Sequence, residues 1–253
     1  MASRNKSLSS ASLEYVAQEL NIKPSYPLPG MVCNIIHSMT GLNGPATRIL
    51  IALLWFSSHN LRRDVIPPYR IYLGFLRKAS GFAAYRSNCE LIKKIHVLID
   101  ICNRRAELES DPLLHTIRFV KEEGVDYLEW DVQETIKAEM IAPSNYAYVE
   151  MRDIVEITDI FDIKIYLKAT IVKNMINKQF ILNVDSLKEE YGISRNPAIT
   201  QKVQRSVSRL NKIIGYDLIY SVKKKKYLNK NEKIVISIRN YQPDAKSSAL
   251  AAK

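Results

Sequence analysis

A chain of 253 residues is long for one compact domain and comfortable for two. Its 47% hydrophobic and 25% charged residues, with only 8 Gly and 10 Pro, exclude a disordered, linker-rich or fibrous protein. The net charge of +11 points to a polyanionic partner, and the longest apolar run, Ile49 to Phe56, is far short of the roughly 20 residues that span a bilayer.

Residues 1–29 read as an N-terminal tail with one short helix. Met1 to Ser12 is polar, without the apolar centre of a secretory leader, and Leu13 to Leu20 is helical up to the stretch holding Pro24, Pro27 and Pro29. Pro45 opens a strong helical pattern with Ile49, Leu50, Leu53, Leu54 and Phe56 apolar, closing near Asn60. A second helix is expected from Pro68 to Ala79, broken by Gly81, and a third from Ala84 to about Arg105. The period then changes. Leu113 to Val120 and Val125 to Asp131, joined by Glu123-Gly124, predict a β-hairpin with a tight turn. Residues 30–141 therefore run helix, helix, turn, helix, hairpin, the order of a winged helix-turn-helix domain.

Asp131 to Met140 predicts a short helix and Ala142 to Asn145 a linker. A strand over Tyr146 to Met151 and a helix over Ile160 to Met175 follow. The order of elements then repeats, with no repetition residue by residue. Phe180 to Asn183 is a strand, Val184 to Tyr191 a helix with Asp185 near its cap, and Gly192 a turn. Asn196 to Ile214 is a long helix, and Tyr216 to Val222 with Lys233 to Arg239 a second hairpin. The expected fold is α+β, predominantly helical, with two tandem winged helix-turn-helix domains at 30–141 and 146–242 and a disordered tail at 243–253.

Charge is concentrated in the second domain. Arg195 to Asn240 holds twelve Lys/Arg against Asp217 and Glu232, so +10 of the +11 lies in about one fifth of the chain. In Asn196 to Ile214 the apolar Ile199, Val203, Val207, Leu210 and Ile214 form one stripe. The opposite face carries Gln201, Lys202, Arg205, Ser208, Arg209 and Lys212, with Arg195 and Asn196 at its start. A helix meant only for solvent mixes Glu with Lys at i,i+4 positions, because such pairs support it. This one has no acid. Arg and Lys can read guanine and Gln can read adenine in a major groove, so these residues are candidate DNA contacts. Lys223, Lys224, Lys225 and Lys226, followed by Lys230 and Lys233, would repel one another in a strand; at a hairpin tip they suit phosphates. No segment pairs a basic face with the exposed Trp, Phe and Leu that binding at a membrane surface needs.

The first domain is less committed. Arg86, Lys93 and Lys94 are candidate secondary DNA contacts, and the preceding helix carries Arg70, Arg77 and Lys78. Its hairpin turn, Lys121-Glu122-Glu123-Gly124 followed by Asp126, is acidic and would be pushed off a phosphate backbone. Self-association and DNA contact both stay open for it.

Signals for chemistry are weak. Cys33, Cys89 and Cys102 have no metal-ligand spacing and read as reduced thiols of a cytoplasmic protein. His37, His59, His96 and His115 are isolated, and Gly41 to Gly44 lacks the Lys and Ser/Thr of a phosphate-binding loop. Thr40-Gly41-Leu42, His115, Arg118 and Tyr146 or Tyr148 have the spacing of a tyrosine recombinase. That chemistry needs an arginine where Asn43 stands, to stabilise charge on the phosphate, and it needs His115 and Arg118 on a helix, where a strand is expected. The expectation is a protein that is not an enzyme and takes no metal or cofactor.

From Asp162 to Arg239 the chain resembles the replication initiator proteins of iteron-containing plasmids, which are built from two winged-helix domains. The resemblance rests on Ile165-Tyr166-Leu167, the helix pair around Leu187 to Tyr191 and Gly192-Ile193-Ser194, the stretch Val207 to Lys212 with its Leu210-Asn211 pair, and Tyr216-Asp217-Leu218 leading into the basic hairpin. It implies double-stranded DNA with direct repeats at an origin as the partner, and specific contacts made mainly by the second domain. It further implies a monomer–homodimer switch, with dimers repressing their own transcription, and recruitment of the host initiator and helicase. Two readings stand beside it: a winged-helix transcriptional regulator without a replication role, and a DNA strand-transfer enzyme.

Overall fold

The computed structural model describes residues 8–84, 87–108, 113–143, 145–223 and 233–240. Its contacts divide the chain into two compact units, Met1–Lys164 and Ile165–Lys253.

The core of the first unit is built around α3 (Gly44–Leu61), which is buried continuously from Ala46 to Ser58. A helix apolar on all sides is stable only when enclosed, which is why the Ile49 to Phe56 run sits here. Asn43 caps its start, Oδ1 accepting from Ala46 N at 2.9 Å, and Pro45 occupies the first turn, where no amide partner is lost. Three large rings of this core have their polar atoms satisfied. Trp55 Nε1 donates to Lys23 O at 2.8 Å, Trp130 Nε1 to Ser57 Oγ at 2.8 Å, and the Tyr26 hydroxyl to Ile51 O at 3.1 Å.

Several elements around α3 differ from the sequence expectation. The first helix, α1 (Leu8–Glu19), begins inside the supposed tail, driven by the buried face Leu13, Val16 and Ala17. The proline stretch is a strand, β1 (Ser25–Pro29), paired antiparallel with β5 (Tyr146–Glu150) in a two-stranded sheet. Pro27 and Pro29 are tolerated there because β1 has no second neighbour that needs their amides, while Tyr26 and Leu28 point inward. Two further short helices, α2 (Gly30–Ser38) and α7 (Met151–Glu156), fall where no helix was expected. The helix expected over Pro68 to Ala79 is a strand, β2 (Tyr69–Tyr72), followed by α4 (Leu73–Ala79). Tyr69 and Ile71 alternate inward with period two, which a four-residue strand shows too briefly to be separated from a helix turn.

After α4 come α5 (Cys89–Leu108), the hairpin β3 (Leu114–Glu122) and β4 (Val125–Val132), and α6 (Glu134–Ile141). The hairpin turns on Glu123 and Gly124, both at positive φ (49° and 80°), the tight turn that matches strand twist. The sheet order is β2-β4-β3. The segment Ala142 to Asn145, expected to link the domains, leads into β5 of the same unit. The division lies further on, inside α8 (Ile160–Val172), the helix after α7.

The second unit continues with β6 (Gln179–Asn183), α9 (Val184–Tyr191), α10 (Asn196–Ile213), β7 (Asp217–Lys223) and β8 (Lys233–Arg239), in the sheet order β6-β8-β7. Its core gathers Phe180, Leu182, Val184 and Leu187 with the inner face of α10 and with Leu218, Ile234, Ile236 and Ile238 of the sheet. Both units thus share one order, strand, helix, helix, strand, strand, and in both the leading strand pairs with the last. Among the described residues, no helix is long and apolar enough to cross a membrane. The tail expected at 243–253 lies outside the described residues.

Candidate nucleic-acid interface

The short helix α9 ends on Gly192, whose left-handed backbone (φ 62°) lets the chain reverse, and three residues later α10 begins with Arg195 as its N-cap and Pro197 in its first turn. A side chain would strain that backbone, which is the physical reason for glycine there. The inner face of α10 is the expected stripe. Ile199, Val203, Val207, Leu210 and the following Ile214 are all buried, with Ser206 among them.

The outer face exposes Gln201, Gln204, Arg205, Ser208, Arg209 and Lys212. Gln201, Gln204, Arg205, Ser208 and Arg209 line one surface depression. Spaced by three and four residues, they form a ridge about 16 Å long from Gln201 to Lys212. Arg195 is exposed at the start of the helix and Asn196 is half-buried. Lys202 is turned aside, with Nζ 4.7 Å from the centre of the Tyr191 ring. Gln204 was not singled out in the sequence, although its position three residues after Gln201 puts it on the same face.

The side chains of Gln201, Gln204, Arg205, Ser208 and Lys212 carry no hydrogen bond or ion pair among the described residues. Donors and cations held outward without partners keep their full bonding capacity for a ligand. Hydrogen-bonding amides between guanidinium groups match the acceptor pattern of base edges in a major groove.

The hairpin after α10 is positioned by a side chain the sequence reading did not interpret. Asn211 Nδ2 donates to Leu218 O at 3.0 Å, and its Oδ1 accepts from Leu218 N at 2.8 Å. Lys223 and Lys233 form the last pair of the β7–β8 ladder, and both are exposed. Lys224, Lys225, Lys226 and Lys230 lie outside the described residues. Near the other end of β7, Asp217 is engaged with Asn240 Nδ2 at 2.6 Å.

The first unit is different in charge. Lys93 pairs with Glu90 at 2.7 Å, and Lys94 is half-buried. Arg70 meets Glu122 at 2.6 Å and Glu129 at 3.5 Å, and Arg118 meets Glu129 at 2.7 Å. Arg70, Lys93 and Arg118 are thus each matched by an acid, so at these positions the surface offers a polyanion less than α10 does. Arg86 lies outside the described residues.

The residues with recombinase spacing are occupied in other ways. His115 and Arg118 stand on strand β3, Asn43 caps α3, and the Tyr148 hydroxyl accepts from Ser25 Oγ at 3.1 Å. Cys33 and Cys102 are buried, and burial pushes their thiols up to about 12 and about 11, far from a reactive thiolate. Among the described residues, no three His, Cys, Asp or Glu are grouped as a metal site.

No family model matches the sequence, and no curated protein matches it. Among solved structures, the chain matches the crystal structure of Pi initiator protein in complex with iteron DNA. The TM-score is 0.56 at 14% identity, over 87% of this chain and 99% of that one. At that identity the likeness is one of fold, and it extends over both units.

Proposed function

We propose, starting from this likeness of fold to an initiator protein crystallised on iteron DNA, that the chain is a sequence-specific double-stranded DNA-binding protein. In this reading each unit is a winged-helix module, α10 enters the major groove, and the β7–β8 hairpin is a wing lying over phosphates. The observation that carries it is the outer face of α10. That face bears three cations (Arg205, Arg209 and Lys212), three hydrogen-bonding groups (Gln201, Gln204 and Ser208) and no acid along the helix. A solvated helix gains from acids at these positions, and a phosphate-lined groove excludes them.

The role that fits a chain of two such modules is initiation of plasmid replication at direct repeats, without enzymatic chemistry of its own. The first unit, with Arg70, Lys93 and Arg118 matched by acids, serves self-association in this reading, and the host initiator and helicase are the further partners. The experiment is a gel shift of the full chain on DNA flanking its own gene, at several salt concentrations, with permanganate probing of the neighbouring A·T-rich duplex. An initiator gives a ladder of complexes, one step per repeat, and opens the A·T-rich segment. A regulator binds and leaves that segment closed. Equal affinity for all duplexes would overturn sequence-specific binding altogether.

A further inference from the structure

The two halves of the proposed interface are useful to each other only if their relative placement is fixed. The reading face belongs to α10, and the exposed Lys223 and Lys233 belong to the far end of the next hairpin. β7 is an edge strand, bonded along its length to β8 alone. The backbone atoms of Leu218 that face away from β8 would otherwise be left to water, a weakness of strand edges. Asn211, in the last turn of α10, meets both of them with one carboxamide, donating to the carbonyl and accepting from the amide. Its side chain stands where a neighbouring strand residue would stand.

We infer that Asn211 is a positioning residue for DNA binding. It locks the start of the basic hairpin to the end of the reading helix, so that helix and hairpin engage one duplex together. This rests on the DNA-binding reading above. The lever is long. Leu218 to Lys223 is five residues, about 16 Å at ~3.3 Å per residue, so a tilt of roughly 10° at the joint moves Lys223 by about 3 Å. A displacement of that size exceeds the tolerance of a charge-assisted hydrogen bond to phosphate. The residue does more than cap a helix, because an ordinary C-terminal cap satisfies carbonyls of its own helix, whereas this one binds the following strand.

The test compares Asn211→Leu, which keeps the volume and removes both hydrogen bonds, with Val203→Ala, which loosens the middle of the same helix without touching the joint. Both are made in the full chain and titrated by fluorescence anisotropy on a duplex that the wild type selects from a randomised pool, and on the unselected pool, between 50 and 200 mM salt. Fold content is followed by circular dichroism. Expected for Asn211→Leu is a roughly tenfold loss on the selected duplex and a salt slope shallower by about 1–2, one phosphate contact contributing roughly 0.9. Val203→Ala keeps the wild-type slope. If Asn211→Leu also keeps the slope, and loses affinity only as its folded fraction falls, the residue is merely structural and the inference is overturned. A wild type that selects no duplex removes the DNA-binding reading itself, an outcome visible before any variant is made.

Discussion

Replacing Arg205 by alanine isolates base reading from folding. Its guanidinium is exposed in the middle of the α10 ridge and makes no hydrogen bond or ion pair among the described residues, so the folded protein loses little when it is removed. Surface substitutions of this kind shift stability by about 0.5 kcal/mol or less. Against DNA the balance reverses. A bidentate contact from arginine to guanine is worth about 1–3 kcal/mol of discrimination, which is roughly 5- to 150-fold in affinity. Arg205→Ala should therefore leave the thermal midpoint within ~2 °C of wild type. It should weaken the selected duplex by that factor and flatten the preference for guanine at one position of the site. Arg205→Lys keeps the charge and loses the fork, so it should recover the non-specific part only. The assay is anisotropy on the selected duplex and on single-base variants of it, at fixed salt. Equal losses on every sequence would mean that Arg205 touches phosphate, and no loss at all would take α10 out of the groove.

Further outcomes follow from other parts of the molecule. Lys223→Ala with Lys233→Ala should lower affinity for selected and random duplexes alike and make the salt slope shallower by roughly 1–2, read from binding at four salt concentrations. His59 Nε2 donates to Lys23 O at 3.3 Å. Burial, reinforced by the nearby cations Arg62, Arg63 and Lys23, lowers its pKa from 6.5 to about 4, against the raising effect of that bond. A histidine held neutral in the fold contributes stability above its unfolded pKa, and that stability is lost as pH falls from about 6.5 toward 4. The ring is partly solvated, so the expected loss is about 1 kcal/mol. It should appear as a drop in the urea midpoint between pH 7 and pH 4.5 that is smaller in His59→Gln. Gly44→Ala should be severe in the first unit. Its new Cβ would press on the carbonyl of Thr158, with the carbonyl carbon 2.8 Å away, and neither is a side chain that can rotate aside. A cost of about 1–3 kcal/mol or more in denaturant unfolding is expected, and a midpoint equal to wild type would show that the segment at Thr158 yields freely.

What could be read from residue order alone was local. Helix α10 announced itself because five apolar positions at helical spacing and an acid-free opposite face are properties of one continuous segment. The turn at Gly192, the Glu123-Gly124 hairpin and the cap-and-proline start of α3 are likewise encoded within a few neighbouring residues. Long-range pairing decided the rest. Two prolines in β1 look like a break until β5, more than a hundred residues away, supplies the partner that makes them a strand. Four residues of β2 become a strand only because β4 lies beside them. Asn211 is visible in the sequence only as part of the Leu210-Asn211 pair, and its carboxamide acquires a role only when the fold brings the Leu218 backbone within 3.0 Å of both its ends. A chain states its periodicities outright, because they depend on near neighbours. Its partnerships depend on where distant segments meet, and folding alone fixes that.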